Sequence, residues 1–223
     1  MSDVIAVVPV RGGSKGLPGK NLRAFGPLPL WEHAAHQGLE AGADRVVVTT
    51  DIPEQLVPTR DGIDIVERDT SLARDDTPMG PVMMDLLRRL EGPAVIVLLQ
   101  PTSPLRHVDD IRAGIAMFTG GGHDLVMSVT EADRSVLKCG TVENGRFRAM
   151  RDAAHCFSNR QALPTVLRPN GAVYVFDKDW FLENGGFATE AIGALEMPPE
   201  RSVDIDSDGD FRRALAAAGY SSA

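Results

Sequence analysis

Apolar residues in this chain come in short continuous runs. Val4 to Val10, Val46 to Thr50, Val95 to Leu99 and Leu125 to Val129 are runs of this kind, each closed by polar or glycine-rich sequence. Such runs predict strands buried on both faces, as in a parallel sheet. Ile63 to Val66 predicts a shorter strand. Between the runs the spacing turns helical. Leu30 to Ala41 predicts a helix, and Pro78 to Leu90 predicts another with proline in its first turn. Ile111, Ile115 and Phe118 follow an i, i+4, i+7 pattern on a helix that Asp109 and Asp110 start. Strands alternating with helices predict an α/β fold, Rossmann-like, with a mainly parallel sheet flanked by helices. Ligands of such sheets bind beyond the carboxyl ends of the strands. The first strand ends at Arg11 to Lys20.

The rhythm changes near Glu131. Val136 to Val142 and Phe147 to Met150 flank Glu143-Asn144-Gly145, a hairpin turn. The segment through Pro169 is polar and irregular and carries Arg146, Arg148, Arg151, Arg160 and Arg168. Residues of about 131–170 therefore read as a small protruding lobe. Ala172 to Phe176 resumes the buried-strand pattern. Ser202 to Ile205 predicts a last strand and Asp208 to Ala218 a last helix, with Ser207 and Asp210 at capping-box spacing. The 223 residues suit a single domain, 1–223, with the lobe inside it.

Charge narrows the function. The net charge is −8, which argues against non-specific nucleic-acid binding. No window approaches the roughly 18 apolar residues of a membrane span, and the first apolar run is too short and wrongly flanked for a signal peptide. A cytoplasmic protein with no membrane partner is expected. Cys139 and Cys156 have no metal-ligand spacing and read as reduced thiols.

Within this acidic chain one segment is basic. Between Val4 and Trp31 no acidic residue occurs, while Arg11, Lys15, Lys20 and Arg23 do. Arg11-Gly12-Gly13-Ser14-Lys15-Gly16-Leu17-Pro18-Gly19-Lys20-Asn21 follows a buried strand. Its glycines let backbone approach an oxyanion, and its cations supply charge-assisted hydrogen bonds to phosphate. This predicts a triphosphate-binding loop. It is not a Walker A loop: with Gly19-Lys20 in register, Ser14 stands where that motif needs glycine and Asn21 where it needs Ser or Thr. The glycine spacing also misses the dinucleotide fingerprint.

Near the other end, Val203-Asp204-Ile205-Asp206 alternates apolar and acidic, which on a strand puts Asp204 and Asp206 on one face. Two such carboxylates suit Mg²⁺, which takes one or two carboxylates plus substrate phosphates. An EF-hand reading fails because Leu215 stands where the twelfth-position Glu belongs.

Taken in order, the motifs resemble one family. Arg11 to Asn21 is similar to the R-x-x-S-K-G-x-x-x-K-N loop of the acylneuraminate cytidylyltransferases (CMP-sialic acid synthetases). Leu98 to Arg106, LLQPTSPLR, resembles their second motif, Arg168 to Tyr174, RPNGAVY, their third, and Asp204-Ile205-Asp206 their late D-I-D. The resemblance implies a nucleotide-diphospho-sugar transferase fold, CTP as donor, a nine-carbon sialic-type acid as acceptor, Mg²⁺ as cofactor, and a homodimer joined through the lobe. It implies triphosphate contacts and catalysis by Arg11, Lys15 and Lys20, with Gly12, Gly13, Ser14, Asn21 and Arg68 also at the nucleotide. It implies that Gln100, Tyr174 and Phe187 face the sugar, that Arg168 and Asn170 line the same cleft, and that Lys138 and Arg160 reach the other subunit's site. Asp204 and Asp206 hold the metal in this reading. Two alternatives stay open on the residues: the same chemistry on another ketoulosonic acid, and a non-catalytic nucleotide-binding protein. Arg106, Lys138 and Arg160 also read as ordinary surface charges.

Overall fold

A computed structural model describes residues 2–14 and 16–220. Its centre is a seven-stranded sheet. The strands are β1 (Asp3–Pro9), β4 (Arg45–Thr50), β5 (Ile63–Glu67), β6 (Ala94–Leu98), β7 (Leu125–Glu131), β10 (Leu167–Asp177) and β11 (Ile192–Glu196), while β2 (Ala24–Phe25) and β3 (Leu28–Pro29) pair only with each other. Their spatial order is β11-β7-β10-β6-β1-β4-β5. All neighbouring pairs are parallel except those of β10, which runs antiparallel to both β6 and β7.

Each predicted run is buried for the expected reason. Successive residues of β1 alternate between two cores, Ala6 and Val8 on one face, Ile5 and Val7 on the other. The first core is covered by α1 (Leu30–Glu40) and α3 (Val108–Thr119) through Trp31, Ala34, Ala35 and Ile111. The second is covered by α2 (Met79–Leu87) and α4 (Lys178–Asn184) through Met83, Leu86, Leu87 and Phe181. A sheet with helices on both faces needs apolar residues at every strand position, which is why the runs do not alternate. Pro78 stands at the N-cap of α2 rather than in its first turn. A small third core joins Leu17, Phe25, Leu30 and Ile205 to Phe211, Ala214 and Leu215 of α5 (Asp208–Ala217).

The lobe carries a two-stranded hairpin, β8 (Gly140–Glu143) and β9 (Arg146–Ala149), apart from the main sheet. Its turn, Asn144-Gly145, has φ of 51° and 73°, the positive values that a two-residue hairpin turn of this type needs. Val136 to Lys138, expected at the start of this hairpin, is part of a 3-10 turn instead. The hairpin is also where apolar side chains reach solvent: Val142, Phe147 and Met150 are exposed, as is Phe157 in the following turn.

One expected strand is absent. Ser202 to Ile205 joins no ladder; Ile205 N–H bonds the Thr102 carbonyl at 2.8 Å. Both sides of β6 are already taken, by β10 and β1. The helix after it forms as expected, with the Ser207–Asp210 capping box present. No helix among the described residues is long and apolar enough to cross a membrane.

Candidate active site

A cleft of ≈ 240 Å³ lies at the carboxyl ends of β1 and β6. These strands are neighbours, and the chain leaves them toward opposite edges of the sheet, the arrangement that opens a crevice in doubly wound folds. Arg11, Lys20, Asn21, Arg68, Gln100, Asp204 and Asp206 line it, with Leu72, Met79 and Val82 as apolar wall.

The loop after β1 is pinned by its one large apolar residue. Leu17 is buried in the third core against Ile205 and α5. Gly19, at φ 64°, then starts a 3-10 turn over Lys20–Leu22 that carries Lys20 inward. Lys20 is 8% exposed. Its Nζ donates to the Ile205 carbonyl at 2.7 Å and meets Asp206 Oδ1 at 3.3 Å. The backbones touch as well: a Cβ on Gly16 would collide with the Asp206 carbonyl oxygen. The basic loop and the acidic stretch thus form one unit, although 185 residues separate Lys20 from Ile205. Asn21 is buried, and its amide donates to the Arg11 carbonyl at 3.1 Å, which closes the loop.

Arg11 is half-buried, donates to the Arg74 carbonyl at 3.1 Å and pairs with Asp75 at 2.9 Å. Arg68 lies buried beneath, donating to the Val10 carbonyl at 3.0 Å, with Asp51 3.9 Å away. Burial lowers its pKa and Asp51 opposes that shift. The Gly12 N–H is held by Asp51 at 3.1 Å, whereas Gly13 is exposed and Ser14 half-exposed. Lys15 lies outside the described residues.

Asp204 and Asp206 are both open to the cleft. Asp204 nevertheless stands low within the surrounding protein. This desolvation raises its pKa, a hydrogen bond from Thr102 lowers it, and Asp206 raises it further. A carboxylate that protein burial and a like charge both disfavour is stabilised by a neighbouring cation. The donor set, two carboxylates facing a phosphate-type basic loop, fits Mg²⁺; no cluster of three or more His, Cys, Asp or Glu suited to a metal exists among the described residues.

Antiparallel β10 brings the third motif to the same end of the sheet. Tyr174 is half-buried, and burial, then Asp204, raises its pKa. It packs against Phe187 with ring centroids 6.0 Å apart; Phe187 in turn meets Phe176 and Phe181. Arg168 is exposed, and its charge is felt at Asp204. Asn170 turns away from the cleft. It is 2% exposed, its Oδ1 accepts from Ser128 Oγ at 2.5 Å and from the Ala172 N–H at 3.1 Å, and its Nδ2 donates to Ser202 Oγ at 2.9 Å. It holds the β10 bulge against the stretch that carries the two aspartates. Lys138 and Arg160 are in the lobe and do not line the cleft of this chain; Arg160 is exposed and pairs with Asp133 at 3.4 Å.

The structure corrects one reading of Arg106. It is no surface charge but is 1% exposed, with hydrogen bonds donated by its Nε and Nη1. Asp51 and Asp75 are site residues that sequence reasoning missed. Asp51 carries a usable signal, since it directly follows a buried strand; Asp75 sits in a loop with no periodicity.

The protein-family model described as cytidylyltransferase matches residues 5–181. An N-acylneuraminate cytidylyltransferase of Streptococcus agalactiae serotype V is 30% identical over 93% of this chain and 51% of its own length. The chain thus spans about half the length of that relative. A CMP-N,N'-diacetyllegionaminic acid synthase of Campylobacter jejuni is 27% identical over 95% of this chain and 93% of its own. Among solved structures, a CMP:2-keto-3-deoxy-manno-octonic acid synthetase complexed with CTP superposes with a TM-score of 0.71 over 98% of this chain and 99% of the other, at 15% identity. The fold is therefore that of the sugar nucleotidyltransferases.

Proposed function

The chain belongs to the cytidylyltransferase family, and on that premise we propose that it transfers CMP from CTP to the anomeric hydroxyl of a sialic-type nine-carbon acid, with release of pyrophosphate. The observation that carries this reading is the meeting of Lys20 with Asp206 in a cleft that also holds Arg11 and Asp204. Cations to neutralise a triphosphate and carboxylates to hold its metal stand on facing walls. The names of the relatives, acylneuraminate and legionaminic acid enzymes, favour a nine-carbon acceptor.

In this mechanism the anomeric hydroxyl attacks the α-phosphorus in line and pyrophosphate leaves. Catalysis of such transfers is positioning and electrostatic stabilisation. Lys20, held rigid by the Ile205 carbonyl, and Arg11 bear on the phosphate oxygens; Lys15 joins them from the same loop. Arg11 exchanges Asp75 for phosphate as the nucleotide enters. Asn21 keeps the loop closed, and Arg68 supports its start through Val10. Gln100, Tyr174 and Phe187 form the acceptor wall, with Arg168 toward the sugar's carboxylate. Asp204 and Asp206 would hold Mg²⁺, which supplies charge neutralisation and a template for the phosphates. The protein works in the cytoplasm as a homodimer through the lobe, whose exposed Val142, Phe147, Met150 and Phe157 would be covered there and whose Lys138 and Arg160 would reach the other copy's cleft.

The test is pyrophosphate release from CTP and Mg²⁺ across a panel of nine-carbon acids, with 3-deoxy-octulosonate as outgroup. Release with one nine-carbon acid, abolished by chelator, is the expected result. Release with the eight-carbon acid alone moves the acceptor assignment, and CTP binding without release from any acid overturns the transfer reading.

A further inference from the structure

Strands β6 and β10 pair in register from Val95–Asp177 to Leu98–Tyr174. Two residues further, the same register would set Gln100 opposite Ala172. The ladder has ended there, because β10 bulges at Asn170-Gly171 and β6 runs into Pro101. Where the two strands part, the side chain of Arg106 stands between them. Its Nη1 donates to the Gln100 carbonyl at 2.8 Å and to the Ala172 carbonyl at 2.9 Å. We infer that Arg106 is a positioning residue: its guanidinium replaces the missing ladder bond and sets the spacing between the Gln100 wall and the β10 wall, which together meet the acceptor acid. The inference rests on the transfer reading above.

The support around the guanidinium is as specific as the bond that it makes. Gln37 on α1 accepts from Arg106 Nε at 3.0 Å, and its own amide donates to the Arg106 carbonyl at 2.7 Å and the Pro104 carbonyl at 3.3 Å. His33, one turn earlier, lies 3.2 Å from the same Pro104 carbonyl. The helix therefore holds the loop 100–106 and the side chain that crosses it in one orientation. The front of the tie is equally close. Gly171 has φ 78°, and a Cβ there would come within 3.1 Å of Gln100 Oε1. The Gln100 amide thus rests on the bulge, and any change in the gap between the strands turns it.

The cation is a costly choice for packing alone. Among the described residues Arg106 makes no ion pair: Asp110, the acid whose charge acts on it, is bound by Arg201 at 2.9 and 3.0 Å. Burial pushes the guanidinium down to about 9, and its Nη2 has no hydrogen-bond partner among the described residues. Taking an ion out of water is unfavourable, and apolar residues of similar volume often replace buried charges with no loss of stability. A fold that needed only volume here would not need arginine. A cleft that needs two carbonyls held apart by a rigid planar donor does.

The test uses Arg106→Met, Gln37→Met and Arg106→Lys in the full chain, none of them at a residue that lines the cleft. In Arg106→Met the KM for the acceptor acid rises at least roughly tenfold, in line with the cost of small misplacements at a reacting centre, while the calorimetric Kd for CTP stays within about twofold. Gln37→Met shifts the same constant in the same direction by less. Arg106→Lys recovers part of the loss, because an ammonium reaches two carbonyls but not Gln37 as well. Amide hydrogen exchange is the arm independent of turnover. Segments 98–106 and 170–174 exchange faster in folded Arg106→Met, with the rest of the sheet unchanged. Equal losses toward both substrates, or unchanged exchange in those segments, overturn the inference. Faster exchange with intact CTP binding, in a protein that turns over no acid at all, supports the tie and fails the transfer reading instead.

Discussion

Lys20→Met is the substitution that separates chemistry from architecture most cleanly. Methionine keeps the length and apolar stem but removes the charge. The structural cost is bounded by two contacts. The Ile205 carbonyl loses its 2.7 Å donor, and an unsatisfied buried carbonyl costs about 1–3 kcal/mol. The pair with Asp206 adds little, since that side chain is 78% exposed and exposed ion pairs contribute about 0–1 kcal/mol. Against the ~5–15 kcal/mol of a domain, the variant folds. The cost to the reaction is larger. A preorganised donor lost from developing charge raises the barrier by roughly 2.7–4 kcal/mol, which at about 1.36 kcal/mol per factor of ten is a loss of about a hundredfold to a thousandfold. Steady-state pyrophosphate release, corrected for the folded fraction from urea unfolding, reads both numbers. Turnover per folded molecule within tenfold of the unaltered protein would refute the assignment and leave Lys20 a structural tie.

Gly16→Ala drives a methyl group into the Asp206 carbonyl, so the loop and the acidic stretch separate; turnover falls at least roughly tenfold while urea unfolding shows an intact sheet. Phe147→Glu combined with Phe157→Glu puts charge on the exposed apolar side of the lobe; under the proposed lobe-mediated dimer, sedimentation velocity is expected to show a dimer for the unaltered protein and a monomer for this variant. Ser207→Ala removes the capping hydroxyl of α5 and lowers stability by about 1 kcal/mol. Hydrogen bonds from Ser207 hold the Asp210 carboxyl below its ordinary value, so Asp210 stabilises the fold above the unfolded carboxylate pKa of about 4, and that contribution is lost as pH falls through the lower folded value; Asp210→Asn flattens this part of the acid-unfolding curve.

Elements that satisfy themselves locally were legible in the sequence. The runs at Val4, Val46, Val95 and Leu125 became strands and the helical spacings became α1, α2 and α3, within a few residues. The capping box of α5 and the Asn144-Gly145 turn formed as written, because each is decided by neighbours along the chain. Ser202 to Ile205 has the pattern of a strand, but pairing needs a strand with a free side, and both sides of β6, whose following loop it bonds at Thr102, are taken by β10 and β1. The parallel edge strand β11 escaped notice for the converse reason: Ile192-Gly193-Ala194-Leu195-Glu196 alternates weakly and contains glycine, yet β7 offers it a free ladder.

The site divides along the same physical line. Residue types and order along the chain pointed to Arg11, Lys20, Asp204 and Asp206, because glycine density and isolated charge are local properties. What the residues do for one another is not local. Asn170 stands in the same motif as Tyr174, yet the bulge turns its amide into the contact between Ser128 and Ser202, away from the cleft. Arg106 ends a motif that begins with Gln100, and no periodicity distinguishes a buried cation from a surface one; only the parting of β6 and β10 gives it two carbonyls to hold. Lys20 and Asp206 approach because Leu17, Ile205 and Phe211 share one small core. The cluster of apolar residues thus determines where the charges meet. Substitutions in that third core therefore belong with the active-site variants: a cavity at Ile205 moves the carbonyl that holds Lys20, and activity responds before global stability does.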